Sequence, residues 1–283
     1  MLDAVLAALA ARDPAGLTGA RYTENGVELP LGAGLWATAD RIGPYRHDFD
    51  DSAGEQAAAF ATVTEGATRS IMALRVKATG GAVREIEALV ARPPLFGGAG
   101  GFGDGPAQLD RAGEPDAGWF GAAAPRLPRE DLRRIADAYF AGLERNDGRG
   151  DYPFAADCIR IENGFRTTDV PSGPAGETPY LEAFRAMSAK QQFETGFFRF
   201  VTRIRDRRFP VIDEPRGLVF AFAFFDHDGT VRDYALADGT PRSGIDRPFT
   251  WMIAEAFRIE RGLLTRIEAL MAEVPYGHRS GWA

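Results

Sequence analysis

Leu2, Val5, Leu6 and Leu9 recur at helical spacing, which predicts a helix over residues 2–10 that Asp13-Pro14 closes. Beyond it the apolar period shortens to that of a strand. Runs over 21–29, 44–50, 56–64, 69–78 and 83–91 predict strands, separated by turn signals at Gly54, Glu65-Gly66 and Gly80-Gly81. A stronger stripe of Leu132, Ile135, Ala136, Tyr139, Phe140 and Leu143 predicts another helix, stopped by Asn146-Asp147-Gly148. A helix near 180–193 should follow, then strands over 197–208, 217–226, 248–260 and 263–273. Each half reads as helix first and curled antiparallel sheet second, an α+β pattern.

The halves also repeat one another. Glu85-Ile86-Glu87-Ala88-Leu89-Val90-Ala91 returns as Arg266-Ile267-Glu268-Ala269-Leu270-Met271-Ala272. Met72-Ala73-Leu74-Arg75-Val76-Lys77 parallels Glu255-Ala256-Phe257-Arg258-Ile259-Glu260, and Thr23-Glu24-Asn25-Gly26 parallels Ile161-Glu162-Asn163-Gly164. Three echoes in one order argue for a tandem duplication, with a unit too long for a solenoid. We expect two related domains, 1–92 and 128–283, each able to hold a pocket. Residues 93–127, with Pro93-Pro94 and Gly97-Gly98-Ala99-Gly100-Gly101, read as a connection without regular elements. Its Phe96, Phe102, Trp119 and Phe120 suggest a segment lying on the surface, over a pocket mouth.

Composition narrows the function classes. The 283 residues carry a net charge of −7, which disfavours nucleic acid and anionic membrane surfaces as partners. One cysteine, Cys158, excludes an internal disulfide framework and a thiolate-rich zinc site, and three histidines leave little for a histidine-built metal centre. No apolar run reaches membrane-spanning length, and Met1-Leu2-Asp3-Ala4-Val5 lacks a basic leader, so a cytoplasmic location is expected. Phosphate-loop, dinucleotide and nucleophile-elbow motifs are absent, which points to chemistry without a cofactor or metal.

Several residues suit that chemistry. In Tyr45-Arg46-His47-Asp48-Phe49-Asp50, strand alternation sets His47 between Tyr45 and Phe49, where an imidazole suits proton transfer beside an aromatic ligand. The plainer alternative is a core histidine on a backbone carbonyl. Glu255 interrupts the apolar face of Phe249, Trp251, Ile253, Phe257 and Ile259, where Met72 holds the matching place in the first half. Burial would raise its pKa and suit a general acid or base; an ion pair with Arg203 or Arg266 is the alternative. Tyr22 and Arg160 occupy corresponding positions, suited to donation to a leaving hydroxyl and to holding a phenolate or carboxylate. Asn25 and Asn163 either bind ligand or close a loop, and their recurrence favours structure, as for Glu87 and Glu268. Phe220, Phe222 and Phe224 share a face with Leu218, whereas Ala221 and Ala223 leave room on the other for a flat aromatic ligand. The tail, 275–282, either folds over a pocket, packs against a subunit partner in a homo-oligomer, or stays disordered.

Tyr22-Thr23-Glu24-Asn25-Gly26, Gly34-Leu35-Trp36, Tyr45-Arg46-His47 and Cys158-Ile159-Arg160-Ile161-Glu162-Asn163-Gly164 resemble a family of tandem nuclear transport factor 2-like (SnoaL-like) cones. The resemblance covers the chain apart from 93–127. It implies two cone-shaped domains and a cofactor-independent lyase acting on a lignin-derived diarylpropane diol, releasing formaldehyde and leaving a stilbene through a quinone methide. On that reading His47 moves protons, with Tyr22 or Glu255 as its complement. Arg160 holds the phenol end, while Asn25, Trp36, Tyr45, Phe49, Asn163, Phe222 and Trp251 surround the aromatic substrate. The alternatives are another dehydratase, isomerase or cyclase on the same fold, or a non-catalytic carrier of a hydrophobic ligand.

Overall fold

The computed structural model describes residues 1–94, 104–170 and 179–282. Helix α1 (Leu2–Ala11) is followed by a hairpin, β1 (Arg21–Glu24) and β2 (Val27–Leu29), where one strand over 21–29 was expected. Asn25 and Gly26 break the strand by taking φ of 48° and 78°. Then come α2 (Leu35–Thr38), β3 (Ala39–Asp51), β4 (Gln56–Glu65), β5 (Thr68–Thr79) and β6 (Ala82–Ala91).

The glycine run 97–101 lies outside the described residues, but the part of the connection from 104 onward holds regular elements. Within it α3 (Gly105–Ala112) starts on the Asp104 carboxylate, which accepts from the Ala107 amide, and Pro106 stands in its first turn. Trp119 is buried within a short helical turn and Phe120 is exposed, while Phe96 and Phe102 lie outside the described residues.

The second half adds α4 (Arg129–Arg145), β7 (Phe154–Glu162) and β8 (Phe165–Arg166). The helix expected near 180–193 is two, α5 (Pro179–Ala186) and α6 (Ala189–Glu194), divided at Ser188, whose hydroxyl opens a capping box with Gln191. Residues 197–200 form a helical turn rather than strand, before β9 (Arg203–Asp213) and β10 (Leu218–His227). A small hairpin, β11 (Asp233–Ala235) and β12 (Pro241–Ser243), precedes β13 (Phe249–Glu260) and β14 (Leu263–Val274).

Two six-stranded sheets result, in order β2-β1-β6-β5-β4-β3 and β8-β7-β14-β13-β10-β9. The shared order bears out the duplication: these are two tandem cone-like α+β domains. In each, the first strand pairs parallel to the last and the other neighbours are antiparallel. The repeated asparagine extends each parallel pair. Asn25 exchanges side-chain hydrogen bonds with the backbone N–H and C=O of Val90 (2.7 and 3.1 Å), and Asn163 does so with Met271 (2.8 and 3.2 Å). Both amides are thereby spent on strand pairing rather than on a ligand.

Each sheet is apolar on both faces. Inner faces carry the helices, α1 against Ala57, Ala59, Met72 and Leu74, and α4 against Ala221, Ala223, Ile253 and Phe257. Outer faces meet each other through Phe49, Phe60, Phe220 and Phe222, with Phe49 and Phe60 rings 5.2 and 5.1 Å from Phe220. Polar contacts cross the seam reciprocally. Glu87 of the first sheet accepts from Arg208 (2.5 and 3.1 Å) and from its own sheet's Arg75 (2.9 Å). Its repeat counterpart Glu268 reaches back to Tyr45 and His47.

The tail neither closes a pocket nor leaves the molecule. It laces the halves together, with His278 Nε2 2.8 Å from the Asn25 carbonyl oxygen, and Trp282 Nε1–H donating to Thr23 (2.8 Å). The Arg21 guanidinium lies over the Trp282 ring at 4.2 Å. Among the described residues no helix is long and apolar enough to cross a membrane.

Two stability measurements test this account. Asn163→Ala should cost roughly 2–4 kcal/mol in urea unfolding, from two lost hydrogen bonds and a left-handed backbone without its asparagine; a change under ~0.5 kcal/mol would remove its latch role. Glu87→Ala takes the carboxylate from Arg208 and leaves the buried Arg75 with Glu85 and Gln56 alone, and should cost about 3–5 kcal/mol. An unchanged midpoint would mean that the cross-seam ion pairs contribute nothing.

Candidate functional site

The residues proposed from sequence fall into three separate places. Tyr22 and Trp36 lie in the first cone, rings 6.2 Å apart, within a core filled by α1, Met72 and Leu74. The Glu24 carboxylate there is fully engaged: it accepts from the Tyr22 hydroxyl (2.9 Å) and the Leu35 amide (2.6 Å) and pairs with Arg92 (2.8 Å).

Tyr45, His47, Phe49 and Phe222 lie on the seam between the sheets. The expected alternation holds, yet the shared face looks at the other sheet and not into a cone. His47 Nδ1 is 2.7 Å from Glu268 Oε2, and the Tyr45 hydroxyl donates to Oε1 at 2.8 Å. Phe49 and Trp119 close on the imidazole, with centroids 4.2 and 4.6 Å away. A single catalytic set of His47, Tyr22 and Glu255 is therefore not assembled, because Tyr22 and His47 point to opposite faces of the first sheet and Glu255 lies on the inner face of the second.

Glu255, Trp251 and Arg160 belong to the second cone, where a cavity of about 30 Å³ remains. Glu255, Glu162, Tyr139, Trp251 and Phe198 are among its walls. Register explains the arrangement. Ala269 of β14 pairs with Glu255 on one side and Glu162 on the other. Residues in one cross-strand row project to the same face, so two carboxyls flank an alanine at ~10 Å between outer strands. Ala221 and Ala223, whose room was expected from sequence, lie on this inner face; Phe220, Phe222 and Phe224 belong to the seam.

Burial pushes the Glu255 carboxyl up to about 8, with Glu162 adding to the rise while Tyr139, hydrogen-bonded to it, and Arg160 oppose it. Glu255 therefore stays protonated at neutral pH. Its Oε2 is buried without a hydrogen-bond partner among the described residues. Burial and then Glu255 raise the Tyr139 hydroxyl well above its ordinary range. Arg160 is also fully enclosed. Burial works against its charge, but Glu162, Tyr139 and Glu255 outweigh it and raise its pKa. Its Nε lies 3.5 Å from Glu162 Oε2 and 3.2 Å from Thr167 Oγ1, Nη2 donates to Gln192, and Nη1 is buried without a hydrogen-bond partner among the described residues. Neither Arg203 nor Arg266 answers Glu255; Arg266 pairs with Asp116 (2.9 Å).

Sequence reasoning missed Tyr139 and Glu162. Tyr139 looks like one more member of an apolar helical stripe, and Glu162 was grouped with its structural neighbour Asn163. A usable signal was present: Glu255 has an apolar counterpart, which the register makes Leu74 and not the expected Met72, and Arg160 stands two residues before Glu162 where Tyr22 stands before Glu24. Duplicated frames diverge where one copy has specialised.

The arrangement can give up a proton from a neutral carboxylic acid, receive one at a second carboxyl and hold an anion at a buried guanidinium. Among the described residues no group of three His, Cys, Asp or Glu side chains is placed to hold a metal ion. As it stands the cavity has room for little more than a water molecule, so an aromatic occupant requires Phe198 and Trp251 to rotate away. A stability measurement tests the protonation state. Glu255 rises on folding from 4.5 to about 8, so the folded protein holds the extra proton across that window and loses stability as pH climbs through it. Glu255→Gln should flatten this loss and gain on the parent between pH 5 and 8 in thermal unfolding. Parallel pH profiles would show a carboxylate already ionised.

No curated protein matches the chain by sequence. Among solved structures it is similar to a de novo designed protein with curved β-sheet, at 12% identity and a TM-score of 0.27, covering 52% of this chain and 88% of that one. It is also similar to AclR, a putative hydroxylase from Streptomyces galilaeus, at 11% identity and 0.30, covering 51% and 91%. A family described as Domain of unknown function (DUF8021) matches residues 125–271, just over half of the chain, from the connection through Glu162 and Glu255 into β14. The chain therefore belongs to the DUF8021 family.

Proposed function

We propose that the second cone is the active site of a SnoaL-like, cofactor-independent lyase acting on a small aromatic alcohol. The observation that carries this reading is the row Glu162–Ala269–Glu255, two carboxyls flanking an alanine on an aromatic-lined cavity, one of them held protonated. Tyr139 and Arg160 complete the set.

The specific reaction we propose is deformylation of a diarylpropane diol. The diol binds as its phenolate against the Arg160 guanidinium; Glu255 protonates the benzylic hydroxyl, which leaves as water as the phenolate electrons form the quinone methide. The quinone methide so formed is drawn by Arg160, whose unpartnered Nη1 suits the phenol oxygen. Glu162 then takes the proton of the primary alcohol. The carbon–carbon bond breaks, its electron pair fills the new double bond and restores the phenolate, formaldehyde departs, and the proton on Glu162 is exchanged through solvent as Glu255 regains its own. One diol thus yields one stilbene, one formaldehyde and one water. The remaining apolar walls, Leu143, Val201, Phe225 and Ile253, limit access of bulk water, which would otherwise add to the quinone methide.

Incubating the purified protein with the erythro diol, while following formaldehyde and stilbene absorbance together, tests the reading directly. Both products should appear in equal amounts, and Glu255→Gln should lower kcat by ~100-fold or more. Tyr22→Phe, confined to the first cone, should stay within about threefold of the parent. A folded His47→Gln variant that loses ~100-fold, with Glu255→Gln unaffected, would move the chemistry to the seam. Thermal stabilisation by the diol with no product in any sample would identify a carrier.

A further inference from the structure

The inner face of the second sheet carries another polar group beyond Trp251. His227 ends β10 and pairs with Phe249 of β13. Its imidazole is 1% exposed. Phe249 stacks on one face at 4.2 Å with planes 7° apart, Phe200 lies at 5.6 Å and 24°, and Trp251 meets the ring edge-on at 4.4 Å. A ring clamped in this way keeps a single orientation.

The clamp also sets which nitrogen carries the hydrogen. Nδ1 is 3.2 Å from the Phe225 carbonyl oxygen, which can only accept, so Nδ1–H donates and Nε2 presents a lone pair. Burial pushes the imidazole pKa down to about 4, which keeps the ring neutral at physiological pH. Nε2 is itself buried and has no hydrogen-bond partner among the described residues. A buried acceptor held in a fixed direction without a donor is costly to maintain, and such groups recur where a ligand supplies the missing partner.

We propose that His227 is a specificity-determining residue of the second cone, its Nε2 accepting a hydrogen bond from a hydroxyl at the far end of the substrate. This rests on the second-cone reading above and adds the shape and chemistry of the molecule that fits. Phe249 and Glu255 are six residues apart on β13, or ~20 Å of strand, with Trp251 between them. Trp251 both lines the cavity and touches His227, so turning it aside joins the two ends. A single aromatic ring cannot reach from the carboxyl row to His227. A molecule of two rings on a short aliphatic bridge can, provided that the remote ring ends in an O–H. A methyl ether there has no proton to offer and sets a methyl group against the lone pair.

The test compares two probes by titration calorimetry: the diaryl diol with a para-hydroxyl on the ring remote from the benzylic alcohol, and the same compound methylated at that oxygen alone. The parent protein should bind the phenol about tenfold more tightly than the ether. His227→Phe keeps a ring in the stack and removes the acceptor, and should bind both alike. Equal binding of the two probes by the parent overturns the assignment with no variant needed, as does a His227→Phe variant that keeps the preference. If neither probe binds, the second-cone reading itself fails and this assignment fails with it. Equal binding strikes His227 alone.

Discussion

A sheet that is apolar on both faces must be covered twice, and that requirement organises this molecule. Helix α1 covers the inner face of the first sheet and α4 with α6 that of the second, while among the described residues the outer faces have only the short α3, whose Leu109 joins the seam. The two outer faces cover each other instead, through a seam built on Phe49, Phe60, Phe220 and Phe222. At ~25 cal/mol for each Å² of apolar surface removed from water, burying such faces dominates any single polar contact across them. The seam still carries charge. Glu87 and Glu268 sit at equivalent places in the repeat, and each answers side chains of the opposite half. Reciprocal contacts of this kind are the mark of an isologous interface, here closed within one chain.

Duplication gave each half the same frame, and the two interiors have since diverged. In the first cone Glu24 is bound by a tyrosine, a backbone amide and an arginine, with Trp36, Met72 and Leu74 filling the space around it. In the second, the carboxylate at the equivalent place, Glu162, faces a second acid across an alanine, and a cavity survives between them. The difference rests on few residues: Leu74, which pairs with Ala88 as Glu255 pairs with Ala269, against Glu255, and Tyr22 against Arg160. An apolar side chain at the first of these closes one cone, and a carboxyl there gives the other a polar wall to its cavity.

Much of the fold is legible in the residues. Period-two runs locate β4, β5, β6, β10, β13 and β14 to within a residue or two, because a strand buried on both faces leaves a dense apolar signal. Errors cluster where local chemistry is weaker than tertiary packing. The Asn25-Gly26 turn splits an apparent strand, Ser188 caps a new helix inside an apparent single one, and α3 forms in a segment whose glycines argue for irregular chain. Trp119 shows why the connection orders: its indole has a place to go, against His47 in the seam.

The candidate site divides in the same way. That Tyr45, His47 and Phe49 share one face, that Glu255 interrupts an apolar one, and that the halves are copies all follow from sequence, since alternation and repetition are properties of the chain itself. Which core each face looks into does not follow, because parity is local while the partner of a face is chosen by how the sheets stack. Only the tertiary structure assigns His47 to the seam, Tyr22 to a filled cone and Glu255 to one that keeps a small cavity. It alone brings Glu162 into the row with Glu255, since a pairing between strands β7 and β14, more than a hundred positions apart, depends on register.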